Sequence, residues 1–324
     1  KEILITFSTS APSDQAINVI EKYDFRPIYN INYDANGGQN APKSQIKIYK
    51  DNLTLTTDEP TRPSYKFLGW STSSKSTTAE YKAGDSYNPG TNEEVKDIIL
   101  YAVWKIDSYT LTINPNGGTW NNSTNKSTIT QSYGSTYIIE NPTKTGYTFT
   151  GWTLSGKGSL NGTTYTFGEG AATLTANYTA NTYTVSYNSN GGSGTMTNDT
   201  ATYDSNFITK KNTFTKTGYT FNGWNEKADG TGTVWGLTTS GVYESGKTWE
   251  WTYTKNITLY AQWKANTNTK YVVKHYKQKL DGTYPSEADD TDNLTGTADS
   301  SVSPAIKSYA GFTSPSLQTV TIAA

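Results

Sequence analysis

The side chains that could carry out catalysis or bind a metal are few in this chain. His275 is the single histidine, and cysteine is absent. A hydrolase needs a placed acid and base or a nucleophile with its partner, and a zinc site needs several Cys or His ligands. No such set accompanies His275, so we interpret it as a structural or surface residue. The sequence predicts no enzyme activity, no metal site and no cofactor.

An acidic run near the C-terminal end is a candidate calcium site, because a hard cation prefers several oxygen ligands in one loop. The EF-hand pattern needs ligands at alternate positions followed by Gly, and Leu294 stands where the third ligand would be. We therefore interpret the run as a solvated hairpin loop. Its members are Glu287, Asp289, Asp290 and Asp292.

A group of aromatic residues is the candidate ligand-binding site. Trp249, Trp251 and Tyr253 occupy alternate positions, which places them on one face of a strand, and Trp235 precedes them. Aromatic faces can cover the apolar face of a sugar ring. The alternative is that these rings enlarge a hydrophobic core. Both hypotheses stay open from the sequence.

Charge and hydrophobicity exclude two classes of partner. The net charge is −1, and Arg26 and Arg62 are the only arginines, so bidentate contacts to phosphate and guanine are nearly absent. The longest apolar stretch, residues 98–104, is too short to span a bilayer, and Lys1 does not open a signal peptide. We predict no nucleic acid, no membrane span and no obligate oligomer.

Three copies of one pattern organise the sequence. Asn-Gly-Gly at 36–38, 116–118 and 190–192 is followed each time by Tyr-x-Phe-x-Gly-Trp. The copies lie 80 and 74 residues apart, which suits one small domain per copy. Apolar residues at alternate positions before each Asn-Gly-Gly predict a strand with one buried face. Asn-Gly predicts that this strand turns back as a hairpin.

Two further blocks in each copy also have the pattern of strands. The Gly before each Trp predicts a bulge, and these tryptophans are expected in the core rather than in a ligand site. A closing block is predicted to be the last, central strand. The four-residue links at 105–108 and 179–182 leave little freedom between copies and predict a semi-rigid rod. The closing blocks are residues 98–104, 174–178 and 257–263.

These blocks carry a family resemblance. The order Tyr-Thr-Val-x-Tyr-Asn-x-Asn-Gly-Gly, Thr-Lys-Thr-Gly-Tyr-Thr-Phe-x-Gly-Trp and Asn-Ile-Thr-Leu-Tyr-Ala-Gln-Trp-Lys, within residues 182–264, resembles the Listeria-Bacteroides repeat, the B repeat of internalin-type surface proteins. The first two copies match at the same blocks, although Ser64 replaces a glycine and Tyr178 replaces a tryptophan. The resemblance implies a small ubiquitin-like β-grasp module with a short helix or helical turn.

The C-terminal part follows a different pattern. Tyr271-Val-Val-Lys-His-Tyr-Lys-Gln-Lys-Leu-Asp-Gly-Thr-Tyr, with Tyr309-Ala-Gly-Phe-Thr further on, is similar to the mucin-binding-protein repeats of Gram-positive surface proteins, which implies another β-grasp-like module. Asp281-Gly282 predicts a hairpin turn. The resemblance leads us to expect a further strand after Thr319-Val-Thr-Ile and hence a shortened module.

The sequence therefore predicts a mostly β protein, α+β at most, with small β-grasp modules arranged as beads. We expect a bacterial cell-surface adhesin region that is extracellular and anchored to the cell wall through segments outside this chain. It would act as a spacer and bind host protein or glycan weakly. The alternative is a carbohydrate-binding accessory region of a secreted glycan-degrading enzyme. The predicted parts are an upstream remnant with a helical connector (1–26), three repeats (27–107, 108–181 and 182–266) and the C-terminal module (267–324).

Overall fold

The structure, a computed structural model, describes residues 25–90, 93–236 and 247–324. These residues contain 24 strands and no α-helix, which confirms the prediction of a mostly β protein. The short helix implied by the family resemblance is not present in the described ranges. The helical connector predicted within residues 1–26 lies outside them, apart from its last two residues.

The first repeat is built on a four-stranded mixed sheet in the order β2-β1-β6-β4. Its first and last strands, β1 and β6, are parallel neighbours in the centre, and β2 and β4 are antiparallel edge strands. A short antiparallel pair, β3 with β5, lies apart from this sheet. The strands are β1 (Ile28–Asp34), β2 (Gln45–Ile48), β3 (Leu53–Thr54), β4 (Tyr65–Ser71), β5 (Ser86–Tyr87) and β6 (Ile98–Ile106).

The second repeat has the same arrangement, with a main sheet in the order β10-β13-β7-β8 and a smaller sheet β11-β12-β9. Its first and last strands, β7 and β13, are again parallel. The strands are β7 (Ser108–Asn114), β8 (Ser127–Ser132), β9 (Thr136–Ile138), β10 (Tyr147–Gly156), β11 (Ser159–Asn161), β12 (Thr164–Thr166) and β13 (Ala172–Ala180).

The third repeat adds one strand to the edge of the main sheet, giving the order β15-β14-β20-β17-β18, and keeps a short pair β16-β19. β14 and β20 are parallel, so the closing block is the central last strand in all three repeats, as predicted. The strands are β14 (Thr182–Asn188), β15 (Asp199–Thr202), β16 (Asn206–Ile208), β17 (Tyr219–Asn225), β18 (Val234–Trp235), β19 (Thr248–Glu250) and β20 (Ile257–Ala265).

The C-terminal module, which we call the tail (residues 267–324), repeats part of this plan. β21 (Thr269–His275) pairs antiparallel with β22 (Asp290–Gly296), as β14 pairs with β15. β23 (Ser301–Val302) pairs with β24 (Val320–Thr321), as β16 pairs with β19. Within the described tail, no strand corresponds to the parallel partner that β1, β7 and β14 each have.

Contacts divide the chain into two compact units. The first comprises the described residues up to 116 together with 121–141 and 152–175. The second comprises 117–120, 142–151 and 176–324. The first and third repeats each have a core rich in aromatic rings. Trp70 and Trp224 are both fully buried in these cores, which confirms that this repeated position serves packing in repeats 1 and 3.

The Asn-Gly-Gly turns are present as predicted. Asn36 and Gly37 have φ values of 47° and 84°, the left-handed geometry that an Asn-Gly pair adopts readily, and Asn190 and Gly191 have 48° and 82°. The return strand does not follow at once, because seven residues separate Gly37 from β2. The predicted hairpin is nevertheless present, since β1 pairs antiparallel with β2, and a turn with a longer loop connects the two strands.

The asparagine of this turn also fastens the last strand. Asn36 Nδ2 donates to the carbonyl of Ala102 at 2.9 Å, and Asn190 Nδ2 donates to the carbonyl of Ala261 at 2.9 Å. The indole Nε1 of Trp104 donates to the carbonyl of Ala35 at 2.9 Å, on the same turn. Each of these bonds spans more than 60 residues of sequence, so they connect the beginning of a repeat to its end.

The glycine before the repeated tryptophan lies at a bulge, as predicted. In repeat 1 the register between β4 and β6 shifts between Phe67 and Gly69. Gly69 has φ +134°, and a Cβ added there would lie 2.2 Å from the carbonyl oxygen of Tyr81. Gly151 has the similar φ of +141°, but an added Cβ would meet nothing within 4 Å. The two positions therefore share a backbone constraint and differ in steric room.

This difference gives a matched test. Gly69→Ala is expected to destabilise repeat 1 by about 2 kcal/mol or more beyond the effect of Gly151→Ala on repeat 2, because the former adds a backbone clash to the same φ strain. Hydrogen exchange of each repeat in increasing denaturant, followed by mass spectrometry, measures both effects in the full chain. Equal losses of stability in the two variants would contradict the close approach of Gly69 to the carbonyl oxygen of Tyr81.

Candidate functional site

The four aromatic residues predicted as a ligand site lie together in repeat 3. The ring of Trp235 is 5.8 Å from that of Trp251, 5.2 Å from that of Trp249 and 5.7 Å from that of Tyr253, measured between centroids. Trp235 lies on the edge strand β18, and Trp249 lies on β19, which pairs with β16. The extra residues of repeat 3 thus add an aromatic layer beside its main sheet.

A carboxylate that the sequence did not single out holds this cluster. Oε1 of Glu226 accepts hydrogen bonds from Trp235 Nε1 at 3.0 Å and from the Tyr253 hydroxyl at 2.6 Å. Trp251 Nε1 donates to the carbonyl of Tyr253 at 2.9 Å. Burial, and then the bond to Glu226, raise the pKa of Tyr253. The sequence signal for Glu226 was weak, since it is simply a glutamate two residues after the repeated tryptophan.

Burial divides the four residues into two pairs. Trp235 and Trp251 are 1% and 0% exposed, and they belong to the hydrophobic core of repeat 3. Trp249 and Tyr253 are partly buried against that core, and Lys247 Nζ lies 5.2 Å from the centre of the Trp249 ring. Of the four residues, only Trp249 and Tyr253 have ring surface that a ligand could contact. Trp235 and Trp251 pack beneath them in the core. Ligand binding by these four residues stays a prediction.

Two members of the acidic run interact with a lysine in the tail. Lys307 Nζ lies 2.8 Å from Asp290 Oδ2 and 2.5 Å from Asp292 Oδ1. His275 Nε2 lies 3.1 Å from Asp292 Oδ2, so the single histidine is part of the same network. Asp289 instead accepts a hydrogen bond from the backbone N–H of Lys277 at 2.6 Å. Glu287 is exposed. Among the described residues, no group of three or more His, Asp or Glu side chains is arranged to hold a metal ion.

A groove of about 1150 Å³ lies beside β21 in the tail. His275 and Lys307 line it together with aromatic and aliphatic side chains, including Tyr309 and Phe312. Phe312 is 43% exposed, so apolar surface faces solvent here. Neither the repeated blocks nor the acidic run predicted this groove, because its walls come from segments that are distant in sequence.

A buried ion pair in repeat 1 was also missed by sequence analysis. Lys47 Nζ lies 2.7 Å from Glu93 Oε1, and the two side chains are 0% and 1% exposed. The Tyr29 hydroxyl donates to the same oxygen at 2.7 Å, and the Lys50 N–H donates to Glu93 Oε2 at 2.7 Å. Burial acts to raise the pKa of Glu93, but these bonds outweigh it and the pKa is lowered. With all its charges paired, the cluster is structural and has no free acid, base or nucleophile.

The Lys307 network makes the tail sensitive to acid. Hydrogen bonds from Lys307, and further bonds from Thr291 and Tyr309, lower the pKa of Asp290 from 3.8 to about 2. A carboxylate with a lowered folded-state pKa stabilises the fold above its unfolded pKa, and this contribution is lost as the pH falls through the folded value. We expect the tail to lose stability between about pH 4 and pH 2.

Carboxyl NMR titration of the full chain measures this effect. Asp290 is expected to titrate near 2, and Lys307→Met is expected to move its pKa upward toward 3.8. Asp281 is a matched control, because its pKa is lowered by local bonds from Thr283 and should not respond to Lys307. An unchanged Asp290 midpoint in Lys307→Met would rule out this pairing.

The comparisons with known proteins agree with the repeated architecture. The Listeria-Bacteroides repeat domain matches residues 29–103, 109–179 and 183–262. A protein of Evansella cellulosilytica named "Putative Gly-rich membrane protein" is 31% identical over 131 residues, which covers 38% of this chain and 14% of that protein. A second protein of that organism, named "Putative membrane protein", is 31% identical over 127 residues, which covers 39% of this chain and 17% of that protein.

The chain thus spans less than a fifth of the length of either relative. No helix among the described residues is long and apolar enough to cross a membrane. The family match covers well over half of the chain and coincides with the three sheets that share one strand order. On this evidence, the chain belongs to the Listeria-Bacteroides repeat family.

Proposed function

We propose that this chain is the non-enzymatic repeat region of a bacterial cell-surface adhesin. It holds another part of that protein away from the cell and binds host protein or glycan weakly at several points. It is extracellular, attached to the cell wall through segments outside this chain, and works without obligate oligomerisation. Family membership and the names of the two relatives support a protein of the cell envelope.

The observation that carries the spacer role is the way in which consecutive modules are joined. Asn181, between repeats 2 and 3, donates its N–H to the carbonyl of Gly146 and accepts the N–H of Tyr203, both at 2.9 Å. A flexible linker would leave these backbone groups to water. Because a single linking residue bonds to the module on each side, the modules resist independent reorientation. This property is useful in a stalk.

Multiplicity supports the binding role. Repeated weak sites gain affinity when several engage at once. The partly exposed rings of Trp249 and Tyr253 are the place where repeat 3 differs most from its neighbours. The same rings favour the second candidate function, a carbohydrate-binding accessory region of a secreted glycan-degrading enzyme. A catalytic domain elsewhere in the full protein would favour this accessory role over the adhesin role.

The spacer role predicts dependence on length. In a surface-displayed protein that carries a reporter ligand beyond this chain, removal of residues 108–266 is expected to reduce capture of receptor-coated beads because the reporter lies closer to the cell. An unrelated folded array of similar length should restore capture. If the shortened protein captures beads as well as the full chain at equal surface density, the spacer role is wrong.

The binding role predicts a distinction between exposed and buried rings. Trp249→Ala is expected to weaken binding to host cells or immobilised glycans about tenfold and to cost repeat 3 less stability than Trp251→Ala, because Trp249 is only partly buried against the core. Trp251→Ala is expected to destabilise repeat 3 by about 3 kcal/mol or more, because it leaves a cavity in the core. Tyr133→Ala, at an exposed ring in repeat 2, is the control. If Trp249→Ala is folded and binds like the unsubstituted chain, the cluster is not a binding site.

A further inference from the structure

Three joints of the chain share one arrangement of backbone hydrogen bonds. At each joint, one linker residue donates its N–H to the preceding module and accepts an N–H from the following module. The linker residues are Asp107 at the first joint, Asn181 at the second and Asn266 at the third. The carbonyl acceptors are Ser64 (2.9 Å), Gly146 (2.9 Å) and Gly218 (2.8 Å), and the N–H donors are Tyr133 (2.9 Å), Tyr203 (2.9 Å) and Ala298 (3.0 Å).

The following module offers the same turn each time. The residue after the N–H donor has positive φ and donates its own N–H back into its module. These residues are Gly134 (φ 75°, to Phe167 at 2.8 Å), Asp204 (φ 56°, to Trp251 at 3.0 Å) and Asp299 (φ 56°, to Ile322 at 2.8 Å). The third case belongs to the tail, which lies outside the matched repeats. The tail thus docks on repeat 3 as repeat 3 docks on repeat 2.

Side chains add a second set of bonds at the second and third joints. The Tyr147 hydroxyl donates to Asp204 Oδ2 at 2.8 Å, and the Tyr219 hydroxyl donates to Asp299 Oδ2 at 2.5 Å. The next residue in each block, Thr148 or Thr220, has its Oγ1 at 2.6 Å from Oδ1 of the linker asparagine. A hydroxyl that donates to a carboxylate makes a stronger bond than one that donates to a neutral acceptor.

Close approach makes glycine necessary next to these pairs. A Cβ added to Gly146 would lie 2.3 Å from the ring of Tyr203 in the following repeat. A Cβ added to Gly218 would lie 2.7 Å from the Cβ of Ala324 and 3.1 Å from the Cβ of Ala298, both in the tail. These glycines and the Tyr-Thr pair belong to the sequence Thr-Lys-Thr-Gly-Tyr-Thr, which is identical in repeats 2 and 3. The block therefore serves the joint as well as its own strand.

The first joint lacks the side-chain set. Lys66 replaces the threonine, and Gly134 replaces the aspartate that would accept from Tyr65. Among the described residues, no side-chain bond from Tyr65 or Lys66 reaches repeat 2. Ser64, at the place of the glycine, instead has its Oγ 3.1 Å from Glu169 Oε1. The first joint thus keeps the backbone bonds and has one hydroxyl–carboxylate contact, between Ser64 and Glu169, in place of the two side-chain pairs present at the second and third joints.

We propose that the Tyr–Asp and Thr–Asn pairs lock consecutive modules together, and that the first joint, which lacks them, opens more readily. These pairs, which we call the lock, require a turn after the second strand of the next module in which an aspartate has positive φ. The lock therefore accepts the tail as well as a repeat of the family. Asp and Asn adopt positive φ more easily than most other residues, so an aspartate at this position indicates such a turn in the sequence. This inference is independent of what the chain binds.

Amide hydrogen exchange of the full chain, followed residue by residue by NMR, tests the lock. Tyr147→Phe removes one hydroxyl, and we expect about threefold faster exchange at the amides of Asn181 and Tyr203, in keeping with an exposed hydrogen bond. Tyr219→Phe should act likewise on Asn266 and Ala298. The amide of Leu259, inside repeat 3, is the control and should be unchanged.

Introducing the missing side-chain pairs at the first joint is a sharper test. Gly134→Asp combined with Lys66→Thr supplies both missing partners at the first joint, where a Cβ on Gly134 would meet nothing within 4 Å. Exchange at the amides of Asp107 and Tyr133 should slow about threefold, and adding Tyr65→Phe should reverse part of this gain. The proposal is overturned if joint amides do not respond in either direction. It is also overturned if the Phe variants accelerate Leu259 equally, because the tyrosine would then stabilise its own repeat instead.

Discussion

The parallel pairing of first and last strands is the constraint on which each repeat depends. Because β1 and β6 run side by side in one direction, the chain enters a repeat at one end of the sheet and leaves at the other. The same holds for β7 with β13 and for β14 with β20. A copy that ends where the next begins needs only a very short link. The Asn-Gly-Gly turn supports this pairing, since its asparagine and the indole of the last strand fasten opposite ends of the sequence to each other.

The cores explain why the chain has so many aromatic rings. Each small module has to fill its interior with few aliphatic residues, and large aromatic side chains bury the most surface per residue. Trp70 and Trp224 fill equivalent places in repeats 1 and 3, while Trp235 and Trp251 extend the core of repeat 3. Charged groups form ion pairs in repeat 1, where Lys47 meets Glu93, and in the tail, where Lys307 meets Asp290 and Asp292.

Much of the local structure could be predicted, because it depends on neighbouring residues. Asn36 and Gly37 tolerate positive φ, so their turn was readable, and the glycine before each repeated tryptophan indicated a bulge. The return of the strand as a hairpin was predictable as well, whereas the length of its loop was not, because pattern alone does not fix where the return strand pairs. The Glu226 anchor was not predictable, since its partner Tyr253 lies 27 residues away. For the candidate site, spacing predicted that the four rings would lie together, whereas their division into buried and partly exposed pairs required the packed core.

The sequence by itself determined the three-fold repetition, the β class, the turns and the membership of a family, because each of these follows from residue types at fixed short spacing. Tertiary structure decided which groups meet across long spacing. It paired Lys47 with Glu93, placed His275 beside Asp292, and brought Tyr147 and Tyr219 to aspartates in the next module. The physical reason is that hydrogen bonds and ion pairs act over a few ångströms in space. The number of residues between two groups does not reveal their distance in space. That distance is fixed only when the strands pair and the modules dock on one another.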